Sequence, residues 1–184
     1  MIQENIKDRI VLFQKSEEYF SEMNKLMFFE ETAELIQALI QNNLENIIEE
    51  IADVRVMILQ MSVGKNFELL ELPKPLPKFA KEKDTFFLMM SLMNKINFMN
   101  LCMARYLRGR KSMLIEAIAQ YQIYEGKLIE LLNIEDDIVV IFNSKLERMN
   151  DRLNKHISKQ NEKDYCTSCG VETVGPKCMG CDRR

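Results

Sequence analysis

The chain has 184 residues, 47% hydrophobic and 29% charged, with a net charge of −3. That balance describes an ordinary soluble globular chain, large enough for one sizeable helical domain and an appendage, and it gives no electrostatic reason for non-specific binding of nucleic acid. With only 6 glycines and 4 prolines, long periodic apolar runs and no hairpin signal, the expected fold class is all-α.

In chain order, the N-terminal MIQENIKDRI carries no apolar run of signal-peptide type. A first helix is expected over about 3–41, with a break near Ser16 or Ser21. The polar string Gln41-Asn42-Asn43-Leu44 is the turn into a second helix, about 45–63, which stops near Gly64. Leu72-Pro73-Lys74-Pro75-Leu76-Pro77 cannot be helical throughout, since proline removes donors and favours extended backbone, so it reads as a stiff connector. A third helix follows over about 84–107, stopping around Gly109, and a fourth over about 111–132. The third is strongly apolar (Phe86, Phe87, Leu88, Met89, Met90, Leu92, Met93), so burial on most of its sides is expected, in the bundle core or in an oligomer interface. Its most apolar stretch, Phe86 to Met93, is too short to span a bilayer, and a cytoplasmic protein without membrane contact is expected. A turn at 133–137 places Glu135, Asp136 and Asp137 where a helix N-terminus favours negative charge, opening a fifth helix over about 136–158. Residues 158–164 then read as a polar linker.

Five carboxylates stand out against this background: Glu30, Glu31 and Glu34 on the first helix, Glu50 and Asp53 on the second. Residues three or four apart share a helix face, so Glu31 pairs with Glu34 and Glu50 with Asp53. Counted from the middle of the Asn42-Asn43 turn, Glu34 lies 8.5 positions before and Glu50 7.5 after. Glu31 and Asp53 lie 11.5 before and 10.5 after. In an antiparallel helix pair, Glu34 is then level with Glu50 and Glu31 with Asp53. Any one of them alone reads as an ordinary exposed acid. Four together among Phe28, Phe29, Leu35, Ile47, Ile51 and Val54 would repel one another or raise each other's pKa values. A hard divalent cation that prefers oxygen ligands, Mg²⁺ or Mn²⁺, resolves that conflict.

The motifs EETAE at 30–34 and EIAD at 50–53 resemble the E-E-x-x-E and E-x-x-D signature of the MazG-like, all-α nucleoside triphosphate pyrophosphohydrolases. Lys145, Asn150 and Arg152 in the segment KLERMNDR are similar to the K-x-x-x-x-N-x-R of that family's last helix. The resemblance covers residues 20–65 and about 137–155 and leaves 74–136 unmatched, as extra helices. It implies a MazG-like helical bundle over 1–158 and Mg²⁺-dependent hydrolysis of a nucleoside triphosphate between its α and β phosphates. Glu31, Glu34, Glu50 and Asp53 would hold the metal, and Glu30 would support it or orient water. Lys145, Asn150 and Arg152 would grip the substrate, in a dimer or tetramer. Two other readings stay open: a regulatory or interaction protein on the same scaffold, and an enzyme for another pyrophosphate compound such as an alarmone.

The tail, 159–184, is a separate module of linker and metal site. Cys166-x-x-Cys169 and Cys178-x-x-Cys181 resemble a zinc ribbon or zinc-knuckle pair, with Gly175-Pro176 for the turn between them. Four thiolates suit tetrahedral, structural Zn²⁺, and so short a segment would take its folding energy from the metal. A redox dithiol pair, two disulfides and a rubredoxin-like iron site are the alternatives. The module is a candidate docking surface for protein or nucleic acid. Arg105, Arg108, Arg110 and Lys111 form a basic turn that fits either phosphate contact or helix capping. Cys102 reads as core and His156, the single histidine, as surface.

Overall fold

The computed structural model describes residues 2–64, 84–110, 113–161, 164–165 and 172–173. The proline-rich connector, Lys111 and the four tail cysteines lie outside those residues. Five helices account for nearly all of the described regular structure: α1 (Ile2–Gln41), α2 (Leu44–Gly64), α3 (Thr85–Leu107), α4 (Leu114–Leu132) and α5 (Glu135–Asn161). The all-α expectation holds among them. None of these helices is long and apolar enough to cross a membrane.

The chain forms two compact units, Met1–Leu146 and Glu147–Arg184, whose border falls inside α5. In the first unit, α1 is interrupted at Phe20, where the backbone turns to φ −127°, ψ 17°. Asn24 Nδ2 donates to the Ser16 carbonyl across this break, at 3.4 Å, and Gln60 Nε2 of α2 donates to Ser16 Oγ at 2.6 Å. These bonds satisfy the Ser16 carbonyl and hydroxyl in the interior, where an unmet group is costly, although Gln60 Oε1 itself is buried without a partner.

The α1–α2 hairpin turns where the asparagines stand. Asn42 adopts a left-handed φ of 51°. The Asn42 and Asn43 N–H groups close onto the Leu39 and Ala38 carbonyls, both at 3.2 Å, in the manner of a Schellman ending. Asn43 Oδ1 then accepts from the Asn46 N–H at 3.3 Å and starts α2. Phe28, Leu35, Leu39, Ile47, Ile51, Val54 and Ile58 are buried along this pair.

The second hairpin, α3–α4, packs through α3 against α1. Asp84 caps α3 by accepting from the Phe86 and Phe87 N–H groups at 3.0 and 3.4 Å. Gly109 supplies the positive φ, 65°, that turns the chain toward α4. The buried stripe of α3 is Leu88, Met89, Leu92, Ile96, Met99, Cys102 and Met103. Among the described residues of the single chain, Phe86, Phe87 and Met90 at the start of α3 are exposed. Among the described helices, α4 and an edge contact with α1 cover a stripe of α3 and not its whole circumference. Next to the acidic motif, the Thr32 hydroxyl donates to Asn100 Oδ1 at 3.0 Å and ties α1 to α3.

Asn133, at φ 55°, ends α4, and Glu135, Asp136 and Asp137 do occupy the first turn of α5. That helix continues to Asn161, into the stretch expected to be linker. The second unit also holds a two-residue antiparallel pair, Asp164–Tyr165 with Glu172–Thr173, in which Asp164 faces Thr173 and Tyr165 faces Glu172.

Candidate metal centre

Two helices and their turn place the acids. Glu31 projects from α1, and Glu50 and Asp53 share one face of α2. One carboxylate oxygen from each of the three lies within 4.8 Å of those from the other two. All three residues are half-buried. Glu34 is exposed and falls outside the trio. Three helical positions amount to about 300°, so Glu34 is turned by about 60° from Glu31, and here that rotation leads toward solvent. Its charge still acts on both Glu31 and Glu50. Glu30 is exposed as well.

The electrostatics of the trio are unfavourable without a cation. Burial, followed by the charges of Asp53, Glu34 and Glu50, pushes the Glu31 carboxyl up to about 7. Burial, followed by Asp53 and Glu34, lifts Glu50 to about 7 in the same way. Lys145 acts in the opposite direction on both. Glu50 Oε2 is sealed from solvent with no hydrogen-bond partner, a condition that costs about 1–3 kcal/mol if left unrelieved. A hard cation in contact with that oxygen would relieve it, so the donor set fits Mg²⁺ or Mn²⁺.

Lys145 reaches the acids from α5. Its ammonium pairs with Asp53 Oδ2 and lies 3.5 Å from Glu49 Oε1. Sequence reasoning placed Lys145 among groups for substrate and did not single out Glu49, whose only signal is its place beside Glu50. Asn150 and Arg152 are exposed on the part of α5 that belongs to the second unit. Arg105, Arg108 and Arg110 are exposed, and Arg108 Nε donates to the Ala104 carbonyl at 2.9 Å, which is the capping role. Cys102 is buried core, and His156 is half-buried on α5.

A second polar cluster in the same unit escaped the sequence reading. Arg55 Nε donates to Glu125 Oε1 at 3.0 Å and its other nitrogens reach Glu135 at 3.4 and 3.5 Å. The Tyr121 hydroxyl donates to the same Glu125 oxygen at 3.3 Å. Burial raises the Glu125 carboxyl, and Arg55 opposes that rise. For Arg55 itself, burial acts to lower the pKa, but Glu125 and Glu135 outweigh it and hold the guanidinium above its ordinary value. The cluster borders a cavity of about 450 Å³ whose wall includes Arg55, Tyr121, Glu125, Glu135, Phe142 and Asn143. A readable signal existed: Leu114, Ile118, Tyr121, Glu125 and Leu128 follow helical spacing, so Glu125 falls in the apolar stripe of α4.

The raised carboxyls carry a stability consequence. A group with a folded pKa near 7 and an ordinary value of 4.5 holds more protons in the folded than in the unfolded chain between those values. Its contribution is therefore complete below pH 4.5 and is lost as pH rises through 7. In buffer free of Mg²⁺ and Mn²⁺, the melting temperature is expected to fall between about pH 5 and pH 8. Glu50→Gln should flatten that slope, and a slope unchanged by the substitution would contradict the assignment. No family model, curated protein or solved structure matches the chain.

Proposed function

We propose that this chain is a divalent-metal-dependent nucleoside triphosphate pyrophosphohydrolase of the MazG-like kind, releasing a nucleoside monophosphate and pyrophosphate. The observation that carries the reading is the convergence of Glu31, Glu50 and Asp53 from two antiparallel helices, with an orphaned oxygen on Glu50. The motifs EETAE and EIAD, which resemble that family's signature, supply those same residues.

Bound there, Mg²⁺ or Mn²⁺ would neutralise phosphate oxygens and offset charge gathering in the transition state. The chain's own part is to hold three carboxylates convergent on rigid helices, with Thr32 and Asn100 bracing α1 beside them. Glu34, one turn nearer the hairpin on the solvent side, is available as a fourth oxygen ligand or as a group that orients water. The family resemblance also offers Lys145, Asn150 and Arg152 for the phosphates or base, although in the structure Lys145 is engaged with Asp53. We take the enzyme to be cytoplasmic and to assemble as a homo-oligomer, a role for the exposed Phe86, Phe87 and Met90.

The test is a product assay on a panel of ribo- and deoxyribonucleoside triphosphates with Mg²⁺, scored for monophosphate and pyrophosphate. An alarmone and other pyrophosphate compounds belong in the same panel. Orthophosphate as the product would overturn the cleavage site and make the chain a different phosphohydrolase, whereas no turnover of any member would overturn the enzyme reading and favour a regulatory protein on the same scaffold.

We further propose that Cys166, Cys169, Cys178 and Cys181 hold one structural Zn²⁺. The paired strands Asp164–Tyr165 and Glu172–Thr173 bracket the first C-x-x-C in sequence, an arrangement that suits a knuckle between two strands. Deleting residues 162–184 is expected to remove the zinc and leave pyrophosphate release within about twofold, since a four-thiolate site is closed to chemistry. Metal analysis and turnover of the truncated chain check this. Activity lost with helical content intact would place the module in the active site or in an essential assembly contact.

A further inference from the structure

The acidic site already has a cation in it, one that belongs to the chain. Lys145 lies on α5, 92 residues from Asp53 in sequence, yet its ammonium pairs with the same carboxylate that completes the trio. This is not an ordinary solvated lysine. Its side chain is 12% exposed and that of Asp53 is 22% exposed, whereas Glu49, its second contact, is 51% exposed. The ammonium therefore spans an inner acid and an outer one.

Resting on the metal reading above, we propose that Lys145 is a tethered placeholder cation, displaced from Asp53 when a divalent ion enters and received by Glu49. A divalent ion bound by the Asp53 carboxylate weakens that carboxylate's pairing with the Lys145 ammonium, because two positive charges then face each other across one group. Glu49 gives the displaced ammonium a seat it already touches, at 3.5 Å. A lysine suits such a move, being a compact charge on a flexible four-carbon stem. Before the ion arrives, Lys145 keeps convergent acids from driving the site apart. Its presence also sets a threshold, since an ion must compete with an intramolecular partner that is never diluted.

The experiment is a Mn²⁺ titration of the full chain, zinc already loaded, followed by calorimetry and by the electron paramagnetic resonance of free Mn²⁺. Lys145→Met, which keeps most of the stem and removes the charge, should bind Mn²⁺ roughly tenfold more tightly than the unsubstituted chain. Lys145→Gln is the second neutral variant should Met fold poorly. Lys145→Arg, which keeps the charge, should not gain affinity. Without Mn²⁺ the neutral variants should melt at lower temperature than the parent, and saturating Mn²⁺ should restore most of the difference. Equal or weaker Mn²⁺ binding by a folded neutral variant would overturn the placeholder role. A parent chain whose Mn²⁺ binding is absent, or is unaffected by Glu50→Gln, would instead overturn the metal reading beneath it.

Discussion

Glu50→Gln is expected to lower Mg²⁺-dependent pyrophosphate release by about 100-fold or more, the scale of losing one ligand charge from an ion that stabilises the transition state. Glu50 is the most informative of the trio. It supplies one of the three convergent oxygens, and its Oε2 is buried with no partner. Glutamine keeps the shape and the packing while removing the charge that burial and Asp53 oppose. Metal-free stability near neutral pH should therefore hold or rise while activity falls, an opposition that a general folding defect would not produce. Glu34→Gln should cost less, under about tenfold, because Glu34 is exposed and stands outside the trio. Turnover and urea unfolding measured on both variants separate the cases. Near-parental turnover by Glu50→Gln would remove the carboxylate site from the chemistry. Equal losses in the two variants would move the ion toward Glu34.

The second large effect concerns stability. Glu125→Ala is expected to destabilise the chain by roughly 2–4 kcal/mol, less than a fully buried pair would lose because Arg55 is partly exposed. Glu125 is 4% exposed and Tyr121 is fully buried. The substitution leaves Arg55 with only Glu135, at 3.4 Å on a side chain 58% exposed, and strips the Tyr121 hydroxyl of its acceptor. Truncation would also enlarge the neighbouring cavity, adding lost packing to the electrostatic loss. Replacing both partners, Arg55→Met with Glu125→Leu, should recover much of the deficit, since apolar groups of similar volume leave no orphaned charge. Urea midpoints for the single and double variants decide the matter. A change below about 1 kcal/mol for Glu125→Ala would mean that water already satisfies Arg55 and Tyr121.

The helices, their turns and the pairing of α1 with α2 are determined by the sequence itself. Asparagine tolerates the left-handed backbone that ends α1 and α4, glycine the one that ends α3, and apolar spacing gives each helix its inward stripe. Those signals are local, so one chain is enough to read them. The same local rule placed Glu31, Glu50 and Asp53 near one another, because a short turn fixes which residues of two antiparallel helices are level.

Tertiary structure alone decided the rest. Spacing says which residues share a helix face, but the rotation of α1 against α2 and α3 set which acid of Glu31 and Glu34 points inward. Lys145 meets Asp53 from 92 positions away, and Arg55 meets Glu125 from 70. No periodicity reports such distances, since each helix repeats about its own axis and carries no record of the partner it will face. The exposure of Phe86, Phe87 and Met90 has the same origin. Hydrophobicity states how much surface a helix would bury, and the number of neighbours available decides how much it does.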